Sequence, residues 1–218
     1  MDVKENLLKI RSEIPKDATL ICVSKTKPIE TIIEAYNLGE RNFGENKVQE
    51  LIEKYDALPK DINWHLIGHL QKNKVKYIID KISLLHSLES TALLKEIEKQ
   101  CEKNRCNLDA LIQINIGREE SKFGILEEDL DELIEACEKT KFVKIKGLMV
   151  IIPKGNEESC KFYFKKTKEI FENLKTKSYK NISMKWLSMG MSNDYIWALE
   201  EGSNMIRVGQ GIFGERHY

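Results

Sequence analysis

Lys25 closes a β-rich run from Thr19 and is followed by Thr26, Lys27 and Pro28. A lysine at a strand tip, enclosed by neighbouring loops, has its ammonium form disfavoured by desolvation, and the neutral amine is the nucleophile that attacks an aldehyde. The placement suits Schiff-base chemistry; the competing reading is a lysine whose head reaches solvent beyond the rim. Lys27 shares the face of Lys25 by strand parity, but it precedes Pro28 at the start of a helix, which makes it the second candidate. Near the other end, WLSMGMSNDYIWALEEGSNMIRVGQGIFG from Trp186 to Gly214 places two small-residue turns after the last two β-rich runs. Small residues let backbone N–H groups approach an anion, Ser192 adds a hydroxyl and a cap for the next helix, and a helix N-terminus adds a favourable dipole. The alternative is that Ser192 only caps and the glycines only turn the chain. Arg207 lies among apolar neighbours and needs a carboxylate or a ligand heteroatom as partner. Against a pyridine ring it would donate to the nitrogen and keep it unprotonated, weakening the ring as an electron sink.

Other reactive residues carry less. His65 and His69 are four apart but straddle a strand end and a turn with no third ligand nearby, so no metal site is expected. His65 is expected to pack in the core, and His86 and His217 show no signal. Five cysteines without a CxxC pair imply reduced, mostly buried thiols.

These groups need a scaffold. β-rich runs at Thr19 to Lys25, Arg41 to Gly44, Asn63 to Ile67, Ser83 to Ser87, Asp109 to Ile116, Val143 to Ile152, Met184 to Ser188 and Asn204 to Val208 alternate with helical stretches. The stretches are Pro28 to Leu38, Val48 to Leu58, Thr91 to Asn104, Glu127 to Thr140 and Glu158 to Leu174, with Gly39 and Gly202 as stops. Eight strands with intervening helices predict an α/β protein, a single (β/α)8 TIM-type barrel over 1–218. An open doubly wound sheet is the runner-up, but the turn after the first strand has no glycine-rich phosphate cradle. Val3, Leu7, Ile10 and Ile14 form the stripe of an extra N-terminal helix, expected to fill the place of a missing eighth helix. In such a barrel the chemistry gathers at the C-terminal ends of the strands, where Lys25, Glu45, Asn46, Gly68, His69, Asn115, Ser188, Gly190, Ser192, Gly209, Gln210 and Gly211 fall.

Composition closes off several classes. With 41% hydrophobic and 32% charged residues the chain can bury a core, and 35 basic residues against 35 acidic ones give no reason to expect nucleic acid. Lys72, Lys74 and Lys76 make a short basic stretch, but with Asp80 close by and zero net charge over the chain they read as a solvated face. The apolar run from Gly147 to Pro153 is too short for a membrane span and the N-terminus lacks an export pattern, so a cytoplasmic protein without membrane partners is expected.

The motifs VSKTKP at Val23 to Pro28, FGENKVQE at Phe43 to Glu50, WHLIGHLQKNK at Trp64 to Lys74, ESKFG at Glu120 to Gly124, GLM at Gly147 to Met149, LSMGMSND at Leu187 to Asp194 and RVGQGIFGER at Arg207 to Arg216 occur in order along nearly the whole chain. Through them the chain resembles the YggS/PROSC-type pyridoxal phosphate homeostasis proteins, which are related to the N-terminal barrel of alanine racemase. The resemblance implies pyridoxal 5'-phosphate as cofactor on Lys25 with Asn46 beside it. It also implies Met191, Ser192, Gly209 and Gln210 around the phosphate, and Arg207 facing the pyridine nitrogen. Gln210 stands where many relatives have Thr or Ser, which leaves the backbone N–H as the phosphate donor there.

Family members are regarded as carriers or regulators of vitamin B6 and amino-acid balance, so the resemblance implies a non-catalytic protein with no catalytic residues, with apo pyridoxal phosphate-dependent enzymes as possible recipients. The rival is an amino-acid racemase, which needs a second acid/base on the opposite face of the substrate. In alanine racemase that base is a Tyr on an additional β domain, and this chain ends at Tyr218 without one, leaving His69 or Tyr195 to serve. The same lack favours a monomer. A cofactor-free Schiff-base aldolase is the third reading and would be colourless.

Overall fold

A computed structural model describes residues 2–215. Arg216, His217 and Tyr218 lie outside the described residues, and with them the end of the last motif. Eight strands run β1 Thr19–Val23, β2 Asn42–Glu45, β3 Asn63–Leu66, β4 Leu84–Leu88, β5 Leu108–Ile114, β6 Val143–Val150, β7 Ile182–Ser188 and β8 Met205–Val208. Every neighbouring pair is parallel, and β1 pairs with β8 through Ile21↔Arg207 and Cys22↔Val208, closing the barrel. That seam rules out the open sheet.

The helices are α1 Val3–Glu13, α2 Ile29–Asn37, α3 Val48–Ala57, α4 Thr91–Asn104, α5 Leu130–Glu138, α6 Glu157–Lys175, α7 Tyr195–Glu200 and α8 Gln210–Phe213. Their apolar stripes and the outward residues of the strands form the larger core, in which Phe43 and Trp64 are fully buried. Ile21, Leu84, Leu111, Met149 and Met205 make a separate cluster, contributed by alternate positions of five strands that face the barrel axis. The caps explain several starts: Asp2 accepts from the N–H groups of Lys4 and Glu5, Ser90 from Leu93, and Asn156 from Ser159. Gly39 and Gly202 follow α2 and α7 with positive φ, as expected of helix stops.

Differences from expectation are local. An eighth helix is present but is only four residues long; α1 lies against it and against α2, buries Val3, Leu7 and Ile10, and Asn6 Nδ2 donates to Ile212 O (2.9 Å). The lysine-rich segment forms a 3-10 helix over Lys72–Tyr77 whose lysines are exposed. Four cysteines are buried and Cys106 is half-buried, all as free thiols. No described helix is long and apolar enough to cross a membrane.

The register of β6 depends on one glycine. Pairing with both neighbours shifts at this point, and Gly147, opposite Trp186, has φ +147°. A Cβ there would lie 1.7 Å from the Trp186 carbonyl oxygen. Only glycine lets the two backbones approach this closely.

Candidate functional site

A cavity of about 530 Å³ opens at the C-terminal ends of the strands, and Lys25, Asn46, Met191, Ser192, Arg207, Gly209 and Gln210 all line it. Sequence reasoning placed Lys25 in the strand, but β1 stops at Val23 and Lys25 stands in the turn beyond it, half-buried. The turn is held from outside the barrel wall. Lys54 Nζ, on α3, donates to Ser24 O (2.7 Å), Glu45 Oε1 (2.7 Å) and Glu50 Oε1 (2.6 Å), while Ser24 Oγ donates to Glu45 Oε1 (2.6 Å). Glu50 also accepts from the Thr26 N–H, where φ is +63°. Glu45 is thus a brace for the turn and does not line the cavity. Burial pushes its carboxyl up to about 7 against the opposing pull of Lys54, and its Oε2 has no hydrogen-bond partner among the described residues.

Lys27 lines the same cavity, with its Nζ donating to the carbonyl oxygens of Phe213 (2.8 Å), Gly214 (3.1 Å) and Glu215 (2.7 Å). The two small-residue turns meet as expected, yet Ser192 does not cap α7. Its Oγ instead accepts from the N–H groups of Gly209 (3.4 Å) and Gly211 (3.2 Å), joining the loop after β7 to the one after β8. Gly190 makes the first turn possible: its φ is +96°, and a Cβ would lie 2.6 Å from that of Ala198. The expected helix dipole is minor, because α7 has six residues and α8 four. The amides turned on Ser192 Oγ are that of Gly209, which precedes α8, and that of Gly211 in its first turn.

Arg207 is buried at 3% exposure, and its hydrogen-bond partners among the described residues are a hydroxyl and a backbone carbonyl, with no carboxylate among them. Nη1 donates to Ser188 Oγ (2.7 Å) and Nη2 to Val150 O (2.9 Å). Burial lowers its pKa to about 10, with the charge of Asp194 opposing.

Several expected groups point elsewhere. Asn115 Nδ2 donates to the carbonyls of Glu119 and Lys122 and shapes its own loop. His69 Nδ1 lies 2.7 Å from Glu89 Oε1, and its ring stacks on Phe123 at 4.0 Å. Tyr195 OH donates to Glu13 on α1. Neither His69 nor Tyr195 lines the cavity.

Sequence reasoning missed the turn from Ile151 to Gly155, which lines the cavity because β6 ends at Val150, two residues before the expected Ile152. It also missed His86, which with His65 lies buried inside the barrel. Desolvation lowers His65 to about 3 and His86 well below the ordinary 6.5, so both rings are neutral. Unfolding returns both to about 6.5, so below that pH the unfolded chain takes up two protons that the folded chain refuses. Glu45 acts oppositely, being protonated in the fold between its ordinary 4.5 and about 7. Between about pH 5 and about pH 6 the unfolded chain holds close to one net proton more from these three groups, so stability falls on acidification there by on the order of 1 kcal/mol per pH unit, and the effect fades toward pH 7. Urea midpoints at about pH 5 and about pH 6 check this, and equal values would contradict it.

Against known proteins, the description "Alanine racemase, N-terminal domain" matches residues 2–217. The pyridoxal phosphate homeostasis protein of Aquifex aeolicus is 46% identical over 203 residues, covering 92% of this chain and 88% of the relative. That of Haemophilus influenzae is 36% identical over 232 residues, covering 100% and 98%. Among solved structures, PipY of Synechococcus elongatus without PLP is 34% identical with a TM-score of 0.93, covering 98% of this chain and 100% of PipY. The PipY structure with PLP bound has a TM-score of 0.89 at the same identity and coverage. Alanine racemase of Clostridium difficile, at 18% identity and a TM-score of 0.82, shares the fold, with 56% of its length covered. The chain belongs to the alanine racemase N-terminal domain family and, within it, to the pyridoxal phosphate homeostasis proteins of the YggS/PROSC type.

Proposed function

We propose that this protein is a single-domain, monomeric carrier that holds pyridoxal 5'-phosphate in the barrel mouth and takes part in intracellular homeostasis of that cofactor and the linked amino-acid balance. The observation that carries the reading is the convergence of Lys25, Asn46, Arg207 and the two amide-bearing loops on one cavity. Pyridoxal phosphate presents an aldehyde, an anionic tail and a ring nitrogen, and each has a counterpart here. Lys25 supplies the amine for a Schiff base. The N–H groups of Gly209 and Gly211, already turned on an oxygen of Ser192, supply donors for an anion, with Met191 and Gln210 at the edge. Arg207 supplies N–H groups for the ring nitrogen, and its Nε has no partner among the described residues. The homeostasis proteins named above and PLP-bound PipY support the same reading.

When bound, the cofactor supplies an electrophilic carbonyl and an electron-accepting ring; the residues here orient and retain it. An arginine at the ring nitrogen weakens that electron sink. The two side chains offered as a second base are turned to Glu89 and Glu13, which favours a carrier over a racemase. Apo enzymes that require pyridoxal phosphate are the proposed recipients, in the cytoplasm.

Borohydride reduction of protein loaded with pyridoxal phosphate, followed by peptide mapping, tests the attachment: a reduced adduct on Lys25 is expected, and a protein that takes up no cofactor would overturn the reading. Chiral analysis of amino acids incubated with holoprotein tests the rival, which requires turnover at ordinary enzymatic rates. Ser192→Ala is expected to weaken retention about tenfold without abolishing it, because the loop amides remain. Unchanged affinity by equilibrium dialysis would show that this hydroxyl only joins the loops.

A further inference from the structure

A line of polar side chains crosses the barrel interior, most of it unused by the proposed cofactor site. Arg207 Nη1 donates to Ser188 Oγ at 2.7 Å. Ser188 Oγ and His86 Nδ1 are 3.1 Å apart, His86 Nε2 and His65 Nδ1 3.0 Å, and His65 Nε2 and Asn42 Oδ1 3.3 Å. The five residues come from β8, β7, β4, β3 and β2. Arg207 lines the cavity at the mouth, whereas Asn42 opens β2 at the opposite end and is partly exposed.

The two ends fix every proton between them. A guanidinium only donates and an amide oxygen only accepts. Asn42 Oδ1 also accepts from Asn63 Nδ2 at 3.3 Å, and Asn63 Oδ1 accepts from Ser83 Oγ at 3.5 Å, which orients both amides. His65 therefore carries its hydrogen on Nε2. Being neutral, it offers a lone pair at Nδ1, so His86 must donate to it from Nε2. His86 in turn offers Nδ1 to the Ser188 hydroxyl, whose oxygen accepts from Arg207. Four consecutive bonds run the same way, and both imidazoles are Nε2–H tautomers.

We propose that this one-way chain is a positioning device for the ligand in the mouth: Ser188, His86 and His65 hold the Arg207 guanidinium at a fixed angle and keep its remaining N–H groups directed at a ligand nitrogen. The inference rests on the reading of the cavity as the cofactor site. Ser188 is the pivotal link, since its single hydroxyl both receives from the arginine and donates to the histidine. Removing it leaves a guanidinium N–H and an imidazole nitrogen buried without partners and releases the arginine to re-aim. A plain polar core would also lose stability on that change, but it would not alter the electronic state of the bound ring.

The test has two arms. In the first, nitrogen-15 NMR of histidine-labelled wild-type protein is recorded without and with saturating pyridoxal phosphate. Both His65 and His86 are expected as Nε2–H tautomers, and both are expected to shift when the ligand is added. A charged ring, an Nδ1–H tautomer, or a His86 signal that ignores the bound ligand would overturn the proposal. In the second arm, Ser188→Ala is expected to move the visible absorption band of the bound cofactor and to weaken binding about tenfold, with Ser188→Thr restoring both. A folded Ser188→Ala protein with wild-type spectrum and affinity would overturn the proposal; if that variant does not fold, the NMR arm decides alone. The expected tautomers in a protein that binds no pyridoxal phosphate would instead overturn the cofactor reading, and with it the use assigned to the chain, while leaving the bond order intact.

Discussion

Lys25→Ala is expected to abolish covalent attachment of pyridoxal phosphate and to leave the barrel folded. The side chain stands in a turn outside the sheet. The backbone of that turn is fixed by bonds that do not involve it, from Lys54 to Ser24 O and from the Thr26 N–H to Glu50. Thermal stability is expected to change by less than about 1 kcal/mol. Non-covalent retention should persist through Arg207 and the loop amides, so the variant ought to bind the cofactor weakly and release it on dialysis after reduction. Mass spectrometry of the reduced, denatured protein decides: a reduced adduct that survives in Lys25→Ala would move the attachment, with Lys27 the first place to look.

Gly147→Ala is expected to be the most damaging single-methyl change in the molecule. The added carbon would sit 1.7 Å from the Trp186 oxygen and 2.7 Å from its carbonyl carbon, and both belong to the neighbouring strand. The positive φ adds strain that any L side chain meets. Relief requires β6 and β7 to part where their register shifts, and Ser188 lies just beyond that point. A loss of roughly 4 kcal/mol or more is expected, enough to unfold much of the protein at 37 °C. Urea unfolding checks it, and a variant within about 1 kcal/mol of wild type would mean that the bulge relaxes easily.

The alternation of short β-rich runs with amphipathic stretches made the barrel legible, because each strand and long helix leaves its own period. Ends were less legible. Val150, rather than Ile152, closes β6, since Ile151 and Ile152 keep the apolar character of the strand, and Val23, rather than Lys25, closes β1, where the chain turns through Thr26 at φ +63°. The 3-10 helix at Lys72–Tyr77 and the short α7 and α8 span too few residues to show a helical period. The seven residues carried over from the family motifs line one cavity. The partners of Arg207 were not legible, because Ser188 lies 19 positions away and His86 a further 102 from Ser188. Only closure of the sheet brings these strands face to face, and alternation within one strand says nothing about what stands across the axis.

The seam between β1 and β8 sets a condition on biosynthesis. The amine at residue 25 leaves the ribosome well before the guanidinium at residue 207 and the amides after it, which come only with the eighth strand. On the proposed reading, a nascent chain holding seven strands has the attachment lysine but neither Arg207 nor the amides after it, so capture of the ligand requires that β8 has been made and the cylinder has shut. Once captured, the ligand favours the shut state by mass action. The cell's supply of the vitamin thereby bears on how much of this polypeptide stays folded.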